Sequence, residues 1–299
     1  MPSPLFAQLS EHVYYLPGAV NCAVVVNGGE AVLVDTGGDK DYGRALRKVC
    51  EALTVTPVAI LNTHSHADHY GGNDYLLRQF DVPVYAPAFE AGILQNPYLE
   101  PVYLFNGAKP LPELMSKWLL AKPSKVDVVS EPGRLELVGL EFDILDTSGH
   151  AHRHLSVKVG DVLIAADAVF GAAVLDKYPL PFGQDIGGQM KSAQSLTEVE
   201  ARVLLPGHGE PTEHIGDLVA HNLEAFKRAA DAVEAACLGV STEEVLTKVC
   251  KNLDIEMINL PRFFLNRCVV TGYLSYLREM GRVELALRDN ELKWERTGT

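Results

Sequence analysis

The chain has 299 residues, a formal net charge of -13 and a pI near 5.2. This length is about twice that of a usual domain, which predicts one large layered domain with an appended unit. Hydrophobic residues make up 47% and charged residues 22%, which excludes a disordered chain, and the acidic balance argues against binding nucleic acid by neutralising phosphates.

Neither the cysteines nor the N-terminus indicates a secreted or membrane protein. The five cysteines are odd in number and never form C-x-x-C, so we predict buried thiols rather than disulfides or a zinc ribbon. Residues 1–10 lack a basic region followed by an apolar core, and no uncharged run of about twenty apolar residues occurs. We therefore predict a cytoplasmic protein without a membrane partner.

The first elements in chain order are three short strands. Residues 12–16, 22–26 and 31–34 are β-branched or aromatic and are separated by Gly, Pro and Asn, which predicts an antiparallel meander. Asp35 ends the third strand. Apolar residues then recur at helical spacing within residues 45–53, which predicts a helix covering one face of the sheet.

A dense group of metal-binding residue types follows an apolar run at residues 58–61. His64, His66, Asp68 and His69 occupy six positions, and two glycines follow at 71 and 72. In a turn that opens a helix, the first two histidines can point to one side and the other two residues to another. The pattern favours ligands for two adjacent metal ions with a bridging hydroxide over unconnected polar loop residues.

Residues 75–80 suggest a helix and residues 82–85 a strand, after which regularity fails. Five prolines and several aromatic residues punctuate residues 96–124, which we interpret as an insertion. Such a segment can be a lid over a binding site, or a packing arm that contacts a second subunit. Both interpretations stay open. The second of them would fit a homodimer.

A second meander follows the insertion. Its predicted strands cover residues 134–138, 140–147, 155–159 and 162–165; His150 follows the second of them and Asp167 the fourth. Residues 169–188 are predicted to form a loop on the substrate side. A last strand at residues 201–205 leads into Pro206-Gly207-His208-Gly209.

We place the end of the first domain near residue 212, giving domains at residues 1–212 and 213–299. The second domain is predicted to contain a helix from about residue 217, a capping box at Ser241 followed by a helix, a third helix over 263–280, and a hairpin over 283–294.

Five motifs, in this order, resemble those of the metallo-β-lactamase fold superfamily of hydrolases. They are Val34-Asp35-Thr36-Gly37, the run from His64 to Gly72, Ser148-Gly149-His150, Ala165-Ala166-Asp167 and Leu205-Pro206-Gly207-His208-Gly209. The resemblance implies an α+β fold, a four-layer αββα sandwich with the motifs at one edge. Helices followed by a hairpin also resemble the winged-helix-like appendage that some of these hydrolases carry.

The resemblance also implies the roles of individual residues. His64, His66 and His150 would hold one ion, Asp68, His69 and His208 the other, and Asp167 would bridge them. Asp35 would support a ligand histidine without touching metal; the alternative is that it caps a helix. We count Asp68 and Asp35 as catalytic, and place His12, His152, His154, His214 and His221 outside the ligand set.

This ligand chemistry suits two divalent ions, with Zn preferred and Fe or Mn open. The leading hypothesis is a binuclear hydrolase of a small-molecule ester, thioester or lactone, resembling hydroxyacylglutathione hydrolases or lactonases. The alternatives are a mononuclear iron sulfur (persulfide) dioxygenase, with one iron held by His64 or His66, His150 and Asp167, and a single-strand endoribonuclease, which the net charge disfavours.

Overall fold

The computed structural model describes residues 6–298. Residues 1–5 and 299, the outer ends of the two predicted domains, lie outside the described residues. Within the described part, none of the helices is long and apolar enough to cross a membrane. Cys22, Cys50, Cys237 and Cys250 are buried free thiols, as predicted, whereas Cys268 is partly exposed.

Two mixed sheets form the centre of the fold. The first contains β1 Ala7–Gln8, β2 Val13–Leu16, β3 Cys22–Asn27, β4 Glu30–Val34, β5 Thr56–Leu61, β6 Val84–Pro87 and β7 Val128–Ser130, in that spatial order. Strands β1 to β4 are antiparallel, which confirms the predicted meander, and β4 to β7 are parallel. Because β4 and β5 run parallel with Val34 opposite Leu61, the residues that follow them emerge at one edge.

The second sheet places the later motifs at strand ends in the same way. It contains β8 Gly133–Leu137, β9 Leu140–Asp146, β10 Leu155–Val159, β11 Val162–Ala166 and β12 Val203–Pro206. Strands β8 to β11 are antiparallel, as predicted, and β12 pairs in parallel with β11. Asp167 and His208 therefore leave neighbouring strands side by side.

Helices cover both outer faces, so the four-layer αββα arrangement is confirmed. They are α1 Lys40–Leu53, α2 Ala67–Tyr70, α3 Asn73–Leu77, α4 Ala88–Gln95, α5 Leu99–Leu104, α6 Ala172–Lys177, α7 Ile186–Ser195, α8 Ile215–Ala236, α9 Thr242–Asn252 and α10 Leu260–Glu279. Leu46 and Val49 of α1 pack on the first sheet, and Ala193 of α7 packs on the second. Val157 and Phe142 lie in the core between the two sheets.

The C-terminal region contains α8, α9 and α10 and a small sheet. Its strands are β13 Leu238–Val240, β14 Val283–Arg288 and β15 Glu291–Arg296, in the spatial order β13-β15-β14. The capping box at Ser241 and the final hairpin are confirmed, whereas β13 was not predicted. The winged-helix resemblance and the domain boundary near residue 212 stay predictions.

The insertion at 96–124 is less irregular than predicted, because it contains α5 and a 3₁₀ turn at Pro112–Leu114. It packs on α10, where the rings of Phe105 and Phe264 lie 5.3 Å apart and Arg267 donates to Asn106. Trp118 is 75% exposed, and its role as part of a lid stays a prediction.

Glycines let the loop that follows β4 contact the residues that follow α2, at the edge of the sheets where the motif residues lie. A Cβ atom at position 71 would lie 2.1 Å from the carbonyl oxygen of Gly38, and one at position 72 would lie 2.3 Å from that of Thr36. Side chains here would push the loop that follows β4 away from α2. The close approach expected from the glycine pair is therefore present.

We predict that Gly71→Ala lowers the free energy of unfolding by about 1–3 kcal/mol, because the methyl group must displace backbone. Gly92→Ala is the matched control, since its Cβ would meet nothing within 4 Å inside α4 and alanine favours helix. Urea unfolding of both variants checks this. Equal stability of the two proteins would contradict the close-packing account.

Candidate metal centre

The loop that carries the first ligands follows β5, whose last three residues are buried, and leads directly into α2. His64 lies in this loop, His66 immediately precedes α2, and Asp68 and His69 lie within the helix. His64 and His69 are completely buried, whereas Asp68 is partly exposed. The candidate ligand atoms of His64 and His66 belong to one group and those of Asp68 and His69 to another, as the sequence predicted.

The first group consists of His64, His66 and His150. The Nδ1 atom of His66 lies 3.1 Å from Nε2 of His64 and 2.9 Å from Nε2 of His150. His150 comes from the turn after β9, in the other sheet. The structure thus brings together the three histidines predicted to hold one ion.

The second group consists of Asp68, His69 and His208, whose candidate ligand atoms lie within 4.8 Å of one another. His208 Nε2 is 3.5 Å from Asp68 Oδ2. The ring of His208 is fixed by its Nδ1 atom, which donates to the carbonyl oxygen of Ala19 at 2.6 Å. This hydrogen bond directs Nε2 toward the group, where a metal ion would take the place of its proton.

Asp167 lies between the two groups. Its Oδ2 atom is 3.2 Å from Nε2 of His150 in the first group and 3.3 Å from Nε2 of His208 in the second. Its Oδ1 atom faces Nε2 of His69 at 3.4 Å. A Cβ atom at Gly207 would lie 2.1 Å from Oδ1, so only glycine leaves room for the carboxylate there.

Asp35 sets the orientation of His69 and fixes the loop before His64. Its carboxylate accepts hydrogen bonds from the Thr63 amide at 2.8 Å, the Thr63 hydroxyl at 2.7 Å and His69 Nδ1 at 2.8 Å. These oxygens are occupied, so Asp35 supports the centre although it lies near His64 and His69. The capping alternative does not hold, since Asp39 caps α1.

The Thr63 hydroxyl also determines the tautomer of His64. Its single hydrogen goes to Asp35, so the contact at 3.0 Å with His64 Nδ1 requires the imidazole to donate. Nε2 of His64 is then unprotonated and faces His66. His69 also donates through Nδ1 to Asp35, which leaves Nε2 as the ring nitrogen that faces Asp167 and could bind a metal ion once deprotonated.

His154 is buried beside the centre but is not available as a ligand. The Asp167 amide donates to its Nε2 at 3.1 Å, and its Nδ1 lies 2.8 Å from the Thr147 hydroxyl. Both ring nitrogens are therefore used, and His154 fixes the backbone of Asp167. Within residues 6–298, the groups that could hold an ion include none of His12, His152, His214 and His221.

The electrostatics differ between the groups. Burial lowers the pKa of His64 well below its usual value and the pKa of His66 to about 3, so both are neutral imidazoles. Burial also acts to lower the pKa of His208, but Asp167 and Asp68 outweigh it and raise the pKa to about 9. Asp167 and Asp35 likewise raise the pKa of His69.

The residues fit divalent cations. Nε2 of His69 and Oδ1 of Asp167 are buried without a hydrogen-bond partner, and buried polar atoms normally have one. The first group places three imidazole nitrogens together, and at least His64 and His66 are neutral. Imidazole and carboxylate donors suit Zn, Fe and Mn.

Sequence reasoning missed Glu90, which is buried on α4. Its carboxylate accepts hydrogen bonds from the Ser65 amide, the Ser65 hydroxyl and the Arg153 amide. Ser65 lies between His64 and His66, and Arg153 lies in the turn that carries His150. Glu90 therefore clamps the two loops of the first group, although no local motif identifies it.

A cavity of about 580 Å³ opens onto the centre. The residues from the centre that line it are His66, Asp68, His150, Asp167 and His208. Residues 169–188, predicted to form a loop on the substrate side, contain α6 and the start of α7, and they supply Phe170 and Phe182 to the cavity. The insertion supplies Trp118, and α10 supplies a further wall. The volume is typical of small-molecule sites.

Comparisons with known proteins agree with this arrangement. A family model described as the metallo-beta-lactamase superfamily matches residues 15–208, which include every predicted ligand. A probable metallo-hydrolase of Bacillus subtilis (strain 168) is 26% identical over 199 residues, covering 66% of this chain and 88% of that protein. A hydroxyacylglutathione hydrolase of Xylella fastidiosa (strain M12) is 30% identical over 150 residues, covering 49% of this chain and 44% of that protein.

Structural similarity extends over nearly the whole chain. The crystal structure of a metallo-beta-lactamase family protein from Thermus thermophilus superimposes with a TM-score of 0.74 and 22% sequence identity. The match covers 97% of this chain and 100% of that chain, so both share the fold of the C-terminal region as well.

We predict that Glu90→Ala weakens metal binding to the first group about 10- to 100-fold, as loss of a supporting hydrogen bond typically does. Val49→Ala is the control, since it removes core volume from α1 without touching the loops. Zinc titration of both variants checks this. Two tightly bound ions in Glu90→Ala would contradict the clamp.

We also predict that acid removes the ion of the second group first. With a pKa of about 9, His208 carries a proton at pH 7 that a metal must displace, so affinity falls as pH falls below 9. His66, with a pKa of about 3, imposes no such competition. Dialysis at about pH 5.5, followed by metal analysis, should leave about one ion. Simultaneous loss of both ions would contradict this.

Proposed function

The chain belongs to the metallo-beta-lactamase superfamily and is a metal-dependent hydrolase. We propose that it uses two divalent ions to hydrolyse a small-molecule ester, thioester or lactone. The observation that carries the two-ion proposal is the position of Asp167, whose Oδ2 atom lies 3.2 and 3.3 Å from one histidine of each group. A carboxylate between two sets of ligands is suited to bridge two ions.

In this proposal His64, His66 and His150 would hold one ion, Asp68, His69 and His208 would hold the second, and Asp167 would lie between them. When bound, such a pair supplies hydroxide near neutral pH and stabilises the negative charge that develops on a carbonyl oxygen during attack. Zn is the preferred metal, because the donors are imidazoles and carboxylates; Fe and Mn accept the same donors.

The protein contributes orientation and exclusion of water. Asp35 and Thr63 hold two imidazoles with Nε2 toward the centre, and His154 fixes the Asp167 backbone. The ring of Phe182 lies 5.2 Å from that of His66 and 5.1 Å from that of His150. This apolar wall strengthens electrostatic interactions at the centre.

The proposed substrate class is inferred from the cavity and from similarity to known proteins. Its size and largely apolar walls fit a small molecule rather than a nucleic-acid strand, and the net charge of -13 agrees. Similarity to a hydroxyacylglutathione hydrolase supports a thioester among the substrates. We propose no membrane partner, and the homodimer stays a prediction.

We predict that Asp68→Ala lowers the metal content from two ions toward one and reduces ester or thioester hydrolysis by more than about 100-fold, beyond the effect of changing an outer supporting residue. Asp41→Ala is the control, because Asp41 is an exposed partner of Arg44 on α1. Metal analysis and hydrolysis assays of both variants check this.

Oxygen consumption measured in the same samples separates the dioxygenase alternative. In that reaction Asp68 would lie outside the ligand set of a single iron. One iron in both the unsubstituted protein and Asp68→Ala, with persistent oxygen uptake and no hydrolysis, would overturn the proposed function.

A further inference from the structure

One face of α10 lines the cavity beyond the metal centre. Arg262, Leu265, Asn266 and Val269 are spaced by three, four and seven residues from the first, and all four line the cavity. At 1.5 Å per residue, the line from Arg262 to Val269 extends about 10 Å. The helix therefore forms a wall along the cavity rather than touching it at one point.

The Val269 end of this line is the end near the metal centre. One turn further along α10, the Tyr273 hydroxyl donates to the carbonyl oxygen of Pro181 at 3.2 Å. Pro181 precedes Phe182, whose ring contacts His66 and His150. Arg262 consequently lies at the end of the wall that is remote from the centre.

The walls of the cavity are mainly apolar, although Glu100, Lys177 and Asp254 also line it. Leu175 and Leu180 come from the segment after Asp167, Ile255 comes from the loop before α10, and Leu265 and Val269 come from α10 itself. The side-chain amide of Asn266 is directed back toward its own helix, where it donates to the carbonyl oxygen of Arg262 at 2.8 Å. A ligand body lying along this wall would be apolar.

Arg262 has no carboxylate partner in the part of the chain that the structure describes, unlike Arg267 on the same helix and Arg282 in the turn that follows it. Arg267 pairs with Glu243, and Arg282 pairs with Asp231 and Glu234. Arg262 is partly buried, and no carboxylate of residues 6–298 lies within 4.0 Å of its guanidinium, although Glu100 and Asp254 line the same cavity. A guanidinium facing a mainly apolar cavity in this way suits an anionic ligand group.

We propose that Arg262 binds a carboxylate at the end of the substrate remote from the scissile bond, so that the substrate is an ester or thioester whose apolar body lies along the roughly 10 Å wall that α10 forms. The inference rests on the proposed function, because it takes the reacting end to lie at the metal centre. A carboxylate fits better than a phosphate monoester, whose charge of about -1.5 to -2 would exceed that of one guanidinium in a cavity that Glu100 and Asp254 also line.

The test compares octanoate with octanedioate by calorimetric titration of the zinc-loaded protein. Both place one carboxylate at the metal centre, and at roughly 1.3 Å per carbon–carbon bond the second carboxylate of octanedioate lies about 9 Å away. We expect octanedioate to bind about 10- to 100-fold more tightly, as a charged hydrogen bond allows. Equal affinities, or no binding of octanedioate, would overturn the proposal.

Arg262→Leu should abolish the preference for octanedioate while octanoate still binds. Arg278→Leu is the matched control, because Arg278 is exposed at the other end of the same helix and does not line the cavity. If Arg262→Leu does not fold, Arg262→Lys should keep the charge but lose the bidentate geometry and part of the preference. If Arg262→Leu still prefers octanedioate as strongly as the unsubstituted protein does, the assignment is overturned. If only Arg262→Lys folds, an undiminished preference for octanedioate in that variant overturns it.

Hydrolysis of a neutral octanoyl thioester separates the two proposals. Turnover of this thioester without a preference for octanedioate would support the proposed function and overturn the role of Arg262. The preference without any turnover would support the role of Arg262 and count against the proposed function.

Discussion

The buried carboxylate of Asp35 is the contact on which the centre most depends. It has no cationic partner other than the His69 imidazole within residues 6–298, and it accepts two hydrogen bonds from Thr63 and one from that ring. Through these bonds a single side chain at the end of β4 fixes the loop after β5 and two imidazole tautomers. The parallel pairing of β4 and β5 makes this possible, since it places Asp35 and Thr63 at one edge.

The second sheet meets the first at the same edge and completes the centre. Asp167 and His208 leave the parallel strands β11 and β12, and His150 leaves β9. Glycines permit the close approach, since Gly207 leaves space for Asp167 and Gly71 lies against Gly38. Five imidazoles and two carboxylates gathered in this way, most of them buried, would leave polar atoms unsatisfied without bound cations.

Much of this was predictable because local patterns express it. Alternating strands, the H-x-H-x-D-H run and the Ser241 capping box depend on near neighbours in sequence. Strands β7 and β13 escaped prediction because three residues are too few to show alternation. Helix α5 was not predicted because Pro101 suggested a break in helical structure. Pro101 lies in the first turn of α5, where a missing amide hydrogen removes no helical hydrogen bond. Glu90 and Arg262 act through residues distant in sequence, so no local pattern identifies them.

In the proposed centre, the seven predicted ligands would hold two ions with Asp167 between them. X-ray absorption of the zinc-loaded protein measures the separation of the ions directly. We expect a zinc–zinc distance of about 3.5–4 Å and mixed nitrogen and oxygen ligands. A single ion per chain would contradict the proposed centre. Two ions whose X-ray absorption spectrum shows no zinc–zinc scattering would contradict it as well.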